Sequence, residues 1–321
     1  MEKFSIEVLK HIIKSSNMKQ CDIADGICDA THFSRILSGQ RKMTPEIFEQ
    51  VMRKLGHNPR NFVGITTAED AQAVQIRNEL KYLLRKNDAT SINEAEKLLA
   101  MIERAPHFSQ GVGLQRLLEH RAALAYNKGE YDDMYSHCLN GLEITRPRCK
   151  DSGEAGFDDD KIDTYSLSIE EIKLIIQFAI AHANMKPCDA DETYPLEKSA
   201  KILIKLNTAL ENTPYHDEER ANIHITMLYN LTKNLGLLNR FDEEILFCDA
   251  GINLCKKYRN GYIEPLFMLN KACSMLHLGN KKDGEPLLKK ACAIFYATER
   301  HDELNIIKGY VANEFGIMVS F

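Results

Sequence analysis

The residues with the clearest potential for chemistry lie in one short stretch, DATHFSRILSGQRKMTPE, at positions 29–46. The spacing predicts a helix whose buried side carries Phe33, Ile36 and Leu37 at positions i, i+3 and i+4. The outer side of this helix is polar and carries Thr31, His32, Ser34, Arg35 and Ser38. A helix that only packs a core does not need such a side, whereas a helix in the major groove of DNA does, because these groups can bond to base edges.

Two of these side chains have specific base contacts available to them. Arg35 can form a bidentate contact with a guanine, and Thr31 can touch a thymine methyl group or donate a hydrogen bond. Cations and amides on either side of the helix can bind the neighbouring phosphates. These flanking candidates are Lys19, Gln20, Gln40, Arg41 and Lys42. The alternative for any one of them is an ordinary surface residue on a four-helix cap.

Three further helices are predicted around this one. The first carries an apolar stripe of Phe4, Val8, Leu9, Ile12 and Ile13, and the second runs near residues 20–27. Gly39 is expected to end the third helix, and Thr44 is expected to cap a fourth with Pro45 in its first turn. Residues 1–64 carry a net charge of +3, while the whole chain carries −5. A mildly basic head on an acidic body is typical of a DNA-binding domain joined to a different module.

Beyond residue 67 the sequence reads as helices of about 12–20 residues joined by short turns. Similar turns recur around Gly129, Asn239 and Gly279, and the last two are 40 residues apart. A helix-turn-helix period near 40 predicts stacked helix pairs that form a superhelix with a concave face. The predicted fold class is therefore all-α, with a helix-turn-helix bundle followed by a repeat superhelix.

Other features of the chain limit its chemistry. The segment 146–163 is acidic and aperiodic, so we expect an exposed loop whose acids form a solvated face and not a calcium site. Nine cysteines without a C-x-x-C spacing indicate reduced thiols, and no signal or membrane-spanning segment is apparent, so we expect a cytoplasmic protein. No metal or cofactor site is predicted. The motifs of common enzymes are also missing, so we do not expect an enzyme.

Residues 20–56, QCDIADGICDATHFSRILSGQRKMTPEIFEQVMRKLG, resemble the phage-repressor (Xre/Cro) type of helix-turn-helix. The chain departs from that pattern at Lys19, where the family has Ser or Thr, at Ile23, where it has Leu, and at Cys28-Asp29, where it usually has Ser. The repeats resemble degenerate tetratricopeptide repeats. The combination is similar to the peptide-sensing RRNPP regulators of Gram-positive bacteria.

This resemblance implies a DNA-binding domain at residues 1–64 and a peptide-binding and dimerisation domain at residues 65–321. It implies a quorum-sensing transcriptional regulator that binds double-stranded operator DNA and holds a short signal peptide in the concave groove. We also expect a homodimer, because one such head buries little DNA surface and paired half-sites give more. Members of the Rap type act on other proteins through their helical head, so a Rap-like or scaffold protein without DNA binding is the alternative.

An extended peptide could be held by a ladder of amide side chains, because one Asn side chain can both donate and accept. Asn230 and Asn270 are one period apart and predict such a ladder. Further steps along the repeats from Asn230 and Asn270, together with the polar neighbours of these residues, add more candidates for peptide binding. These are His120, Gln177, Tyr229, Asn234, Lys271 and Asn313. The alternative for each residue is a role in packing one repeat against the next.

Overall fold

The computed structural model describes residues 6–16, 18–57, 59–62, 68–86, 88–146, 157–185, 193–212 and 218–319. Within these ranges the regular structure is helical and no strand is present, so the predicted all-α fold class is confirmed. The chain divides into two compact units, residues 1–129 and 130–321. The functional division predicted after residue 64 falls inside the first unit and stays a prediction.

The first unit places four short helices and three longer ones on one hydrophobic core. Its helices are α1 (Ile6–Ser15), α2 (Gln20–Ala24), α3 (Ala30–Leu37), α4 (Pro45–Lys54), α5 (Ala68–Lys86), α6 (Ala89–Ile102) and α7 (Gly111–Lys128), with short 3-10 helices at Pro59–Phe62 and Pro106–Phe108. Phe33 of α3, Met52 of α4 and Leu80 of α5 all belong to this core. The predicted four-helix head is therefore packed continuously onto α5.

The predicted elements of the head agree with the structure except at the end of the second helix. The second helix ends at Ala24, three residues before the predicted end, because the chain turns through Gly26 with φ +73°. Phe4 of the predicted first stripe lies outside the described residues, while Val8, Leu9, Ile12 and Ile13 are buried as expected.

In the second unit, consecutive helices pack side by side. Its helices are α8 (Tyr131–Glu143), α9 (Ile169–Asn184), α10 (Tyr194–Asn212), α11 (Glu218–Leu237), α12 (Phe241–Tyr258), α13 (Glu264–His277), α14 (Lys281–Ala297) and α15 (His301–Phe315), with a 3-10 helix at Asp159–Thr164. From α8 to α15 each helix packs on the next, and α11 also contacts both α9 and α13. The first helices of successive pairs thus lie side by side.

The backbone turns set the repeat length. Asn239, Arg259, Gly279 and Glu299 end or follow successive helices with φ of 57°, 55°, 80° and 58°, and they are spaced by 20 residues. This left-handed conformation suits glycine and is unfavourable for residues with a Cβ. The predicted period of 40 is therefore confirmed for α11–α15, and it consists of two equal halves, each a helix with its closing turn.

The crossings within two successive pairs are filled in opposite ways. In the pair α11–α12 the carboxylate of Glu244 lies over Gly236, where a Cβ would come within 2.8 Å of Oε2. In the pair α13–α14, 40 residues later, Leu276 is equivalent to Gly236 and Gly284 is equivalent to Glu244. Here the leucine fills the space, since a Cβ on Gly284 would lie 3.0 Å from Leu276 Cγ. Each crossing therefore has room for one large side chain, supplied by either the first or the second helix.

Glu244 is buried, and its surroundings shift the pKa of its carboxyl group. Ser274 Oγ donates a hydrogen bond to Oε2 at 2.5 Å, and burial raises the pKa of Glu244 to about 7. The folded protein therefore favours the protonated carboxyl more strongly than the unfolded chain does.

The expectation of an exposed loop at 146–163 is wrong for its second half. The 3-10 helix Asp159–Thr164 packs on α10, with Ile162 fully buried. Asp159 pairs with Lys198, and Asp160 lies 2.7 Å from Lys201 Nζ and 3.0 Å from Lys205 Nζ. These lysines hold the pKa of Asp160 well below its usual range. The acidic run anchors this segment to α10, whereas residues 147–156 lie outside the described residues.

We expect Glu299→Gly to raise the free energy of unfolding by about 1 kcal/mol, because glycine adopts the left-handed conformation without the Cβ strain. Lys290→Gly is the control, since Lys290 is exposed in the middle of α14 and glycine there costs about 1 kcal/mol. Urea unfolding of both variants measures the difference. A loss of stability in Glu299→Gly would contradict the strain at this turn.

We expect the double variant Gly236→Leu with Glu244→Gly to be more stable than the two single variants predict. Gly236→Leu alone overfills the crossing and should cost about 1–3 kcal/mol, whereas the pair reproduces the packing of Leu276 with Gly284. A double-mutant cycle from urea unfolding should give a favourable coupling free energy of at least about 1 kcal/mol. Additive effects of the two substitutions would contradict the equivalence of the two helix crossings.

The same double variant has a pH signature. In the parent chain the stability should fall as pH rises from about 4.5, the ordinary pKa of Glu, to about 7, because over this range the folded state binds more protons at Glu244 than the unfolded state. Removing Glu244 should remove this component of the pH dependence.

Candidate functional site

The helix α3 is held at its start by an aspartate. Asp29 is its N-cap, and its carboxylate accepts hydrogen bonds from the backbone N–H of Thr31 at 2.8 Å and of His32 at 3.2 Å. The bond from Thr31 is the main reason why the pKa of Asp29 is below its ordinary value. Asp29 therefore provides a strong helix cap at the start of α3.

The two sides of α3 are those that the sequence predicted. Phe33, Ile36 and Leu37 are buried. His32 is half-buried, and the other predicted DNA-binding residues are exposed: Lys19, Gln20, Thr31, Ser34, Arg35, Ser38, Gln40, Arg41 and Lys42. The exposed set lies at the start of α2, on the outer side of α3 and in the turn that follows α3. The role of these residues in DNA binding stays a prediction.

The turn after α3 brings a second arginine back onto the helix. Gly39 has φ +77°, and the N–H groups of Gln40 and Arg41 both donate to the carbonyl of Arg35. Arg41 Nη1 then lies 3.1 Å from His32 Nδ1. Since Arg41 can only donate, Nδ1 of His32 is the acceptor of this bond. Arg41 thus lies against α3, next to Arg35, and does not extend away from the bundle.

The hydroxyl groups of two other predicted residues have different positions. Ser38 Oγ donates to the carbonyl of Arg35 at 3.1 Å, so its hydroxyl proton is used within the turn. Ser34 is exposed on the outer side of α3. Of the two serines, Ser34 is therefore the better placed to contact a ligand.

The fourth helix braces the turn before α3. Thr44 caps α4 by accepting the N–H of Ile47 at 3.3 Å, with Pro45 in the first turn, as predicted. At the other end Lys54 Nζ donates to the carbonyl of Asp25 between α2 and α3. This bond ties the C-terminal end of α4 to the turn that sets the angle between α2 and α3.

A second candidate surface lies on the first helices of the second unit. On α11 and α13 it consists of residues that are not buried and are paired by the 40-residue register. We call it the first-helix stripe: Thr226, Tyr229, Asn230, Lys233 and Leu237 on α11, and Leu266, Leu269, Asn270, Cys273 and His277 on α13. The same register reaches Ile306, Tyr310 and Asn313 on α15. The stripe places Asn230 and Asn270 at equivalent positions among apolar, aromatic and other polar side chains.

Two members of the predicted ladder lie on this stripe at equivalent positions. Asn230 Nδ2 donates to the carbonyl of Thr226 in its own helix at 2.9 Å, and Asn270 Nδ2 lies 3.2 Å from Thr232 Oγ1 of α11. Each amide therefore has one N–H engaged, and its carbonyl oxygen can accept a hydrogen bond from a ligand. Tyr229, beside them, is half-buried, with its ring 6.1 Å from that of Phe267.

The other members of the ladder are placed differently. His120 and Asn234 are only 3% and 8% exposed, and Asn234 donates to Ser199 Oγ between α10 and α11, so these two lie inside the helix packing. Lys271 is ion-paired with Asp249 of α12. Asn313 is exposed on α15 but does not continue the ladder of Asn230 and Asn270. In the 40-residue register, Tyr310 is equivalent to Asn270, and Asn313 is equivalent to Lys233.

Gln177 of α9 is half-buried and its side-chain oxygen has no partner within the described residues. Sequence reasoning missed Lys233, although the same 40-residue step that relates Asn230 to Asn270 defines its place on the stripe. Asn234 lies near Asn230 in sequence, and only the packing of α10 shows that its side chain points inward.

The buried ionisable groups of the second unit have structural explanations. His224 Nε2 lies 2.8 Å from Asn207 Oδ1, and burial lowers its pKa to about 4. Burial also raises the pKa of the thiols of Cys255 and Cys273 to about 12. The seven described cysteines are free thiols. Along the described part of the chain, no helix is long and apolar enough to cross a membrane.

Three solved structures share this fold over nearly the whole chain. PlcR from Bacillus thuringiensis, in complex with the peptide PapR7 and DNA, has a TM-score of 0.59 at 18% identity, with 96% of this chain and 99% of PlcR covered. The apo form of ComR from S. thermophilus has a TM-score of 0.52 at 14% identity, covering 97% and 99%. The apo competence regulator ComR from Streptococcus vestibularis has a TM-score of 0.51 at 12% identity, covering 98% and 99%.

No protein-family model matches the chain, and no curated protein matches it. At identities of 12–18% the similarity to the three structures establishes a common fold.

We expect Asp29→Ala to loosen α3, while Asp29→Asn retains it. Asn caps a helix about as well as Asp, whereas Ala loses about 1 kcal/mol. Hydrogen exchange of a peptide covering residues 27–40 should therefore be faster in Asp29→Ala than in Asp29→Asn. Equal exchange in both variants would show that the side chain of Asp29 does not hold the helix.

Proposed function

We propose that this protein is a cytoplasmic transcriptional regulator that binds operator DNA through α3 and a short peptide through the first-helix stripe. The observation that carries the proposal is the outer side of α3, where Thr31, Ser34 and Arg35 are exposed on a helix capped at both ends. Arg41 is exposed in the turn that follows this helix. PlcR, which shares the fold, was solved with both a peptide and DNA, and this supports the two kinds of ligand.

In this proposal α3 enters the major groove. Arg35 would contact the edge of a guanine and Thr31 the methyl group of a thymine, while Ser34 adds a short hydrogen-bonding group. Lys19 and Gln20 at the start of α2, with Gln40 and Lys42 after α3, would bind phosphates and fix the register. Arg41 stays next to Arg35 through His32 and so can reach either a phosphate or the next base pair.

The peptide would lie across the first helices. Asn230 and Asn270 each have a carbonyl oxygen that can accept a backbone N–H, and Tyr229, Leu266 and Leu269 offer apolar contacts. The binding of a peptide to this surface stabilises whichever arrangement of the helices binds it better. No catalytic step is needed for this activity, and we propose that the protein acts by binding alone.

A homodimer is part of the proposal. A single helix-turn-helix buries little DNA surface, and two copies that bind paired half-sites give higher affinity and specificity. A change in the curvature of the repeats on peptide binding would alter the separation of the two heads and hence the fit to the half-sites.

We expect Arg35→Ala to reduce discrimination between target and scrambled DNA by about 10- to 100-fold, because a bidentate base contact contributes about 1–3 kcal/mol. Target sites are first selected from random DNA with the full-length protein, and affinities are then measured at one salt concentration. Arg53→Ala is the matched control, since Arg53 is exposed on α4 and pairs there with Glu49.

The control should lose little affinity and no discrimination. If Arg35→Ala and Arg53→Ala behave alike, α3 does not read base edges. If random DNA yields no selected site at all, the first 64 residues act instead as a protein-binding bundle, as the Rap-like alternative holds.

A further inference from the structure

The first-helix stripe has one fixed charge. On α11 and α13, which the structure describes throughout, the stripe consists of amide, hydroxyl, thiol, aromatic and aliphatic side chains, together with His277 and Lys233. Lys233 is exposed, and its Nζ lies 5.9 Å from the centroid of the Tyr229 ring. An ammonium group in such apolar and amide surroundings favours an anion beside it.

Neighbouring cations do not share this property, because each is already bonded within the fold. Arg220, near the start of α11, donates to a backbone carbonyl at 2.8 Å, and two lysines have carboxylate partners. Lys173 of α9 lies 3.2 Å from Glu219, and Lys271 of α13 lies 2.5 Å from Asp249. Among the described residues Lys233 has no ion-pair partner. The positive charge available to a ligand on these helices is therefore concentrated at one position.

The place of Lys233 among the helices indicates which kind of anion fits. The helix α11 contacts α9 on one side and α13 on the other. Packed helices are about 8–10 Å apart and an extended peptide rises about 3.3 Å per residue, so a peptide that crosses them passes each helix in about three residues. A peptide that spans α9, α11 and α13 continues in both directions beyond Lys233. The anion is then a side chain and not the peptide's C-terminus.

We propose that Lys233 selects a peptide that is largely apolar and carries one Asp or Glu at an interior position. This inference rests on the proposed function of the first-helix stripe. The carboxylate pairs with Lys233 beside the ring of Tyr229. Apolar side chains on either side contact Leu237, Leu266 and Leu269, while the oxygens of Asn230 and Asn270 accept backbone N–H groups.

The test uses synthetic nine-residue peptide pools of Leu, Ile, Val and Phe in which one interior position is Glu, Lys or Ala. Each pool is made with a free and with an amidated C-terminus. The pools are incubated with the full-length protein, and retained peptides are identified by mass spectrometry. The variants are Lys233→Glu and, as the matched control, Lys289→Glu on the exposed side of α14. Circular dichroism confirms that each variant is folded.

We expect the parent protein and Lys289→Glu to enrich Glu peptides about tenfold or more over Lys peptides, independently of amidation. Lys233→Glu should reverse this preference. Equal enrichment of Glu, Lys and Ala peptides by the parent protein overturns the inference but leaves peptide binding intact. A preference that disappears on amidation overturns it too, because the anion is then the C-terminus. Retention of no peptide overturns both the inference and the proposed peptide function.

Discussion

The close crossing of paired helices is the constraint on which the second unit depends. The space between α11 and α12 holds the side chain of Glu244 over Gly236, and the space between α13 and α14 holds Leu276 over Gly284. A second side chain at either crossing would push the helices apart. Because each pair can dock at one depth only, successive first helices lie in register. The first-helix stripe is a consequence of that register, since positions 40 residues apart face the same way.

In the first unit, the start and end of α3 and the start of α4 are set by local bonds. Asp29 caps α3, Thr44 caps α4, and Gly39 reverses the chain between them. These contacts join residues close in sequence, so they fix the start, the end and the exposed side of α3 before distant packing is considered. The bond from Lys54 to the Asp25 carbonyl adds a long-range tie between α4 and the turn that joins α2 to α3, beside the shared hydrophobic core.

Some polar residues on the first helices serve packing, and others are left for a ligand. Asn234 reaches Ser199 of α10, and Lys271 reaches Asp249 of α12. Both lie on the sides of their helices that meet a neighbour. Asn230 bonds within its own helix, and the ammonium group of Lys233 lies 5.9 Å from the centroid of the Tyr229 ring. This separation of roles leaves the available hydrogen-bonding groups and the available charge on one surface.

The sequence alone determined the helical class, the 40-residue period, the caps of α4 and the two sides of α3. These features follow from spacing and from residue types that act on their nearest neighbours. Tertiary structure decided that His120 and Asn234 are buried, that residues 159–164 dock on α10, and that Arg41 returns to His32. Periodicity gives the angular position of a residue on its helix. Whether another helix covers that position depends on residues far away in the chain, which no local pattern records.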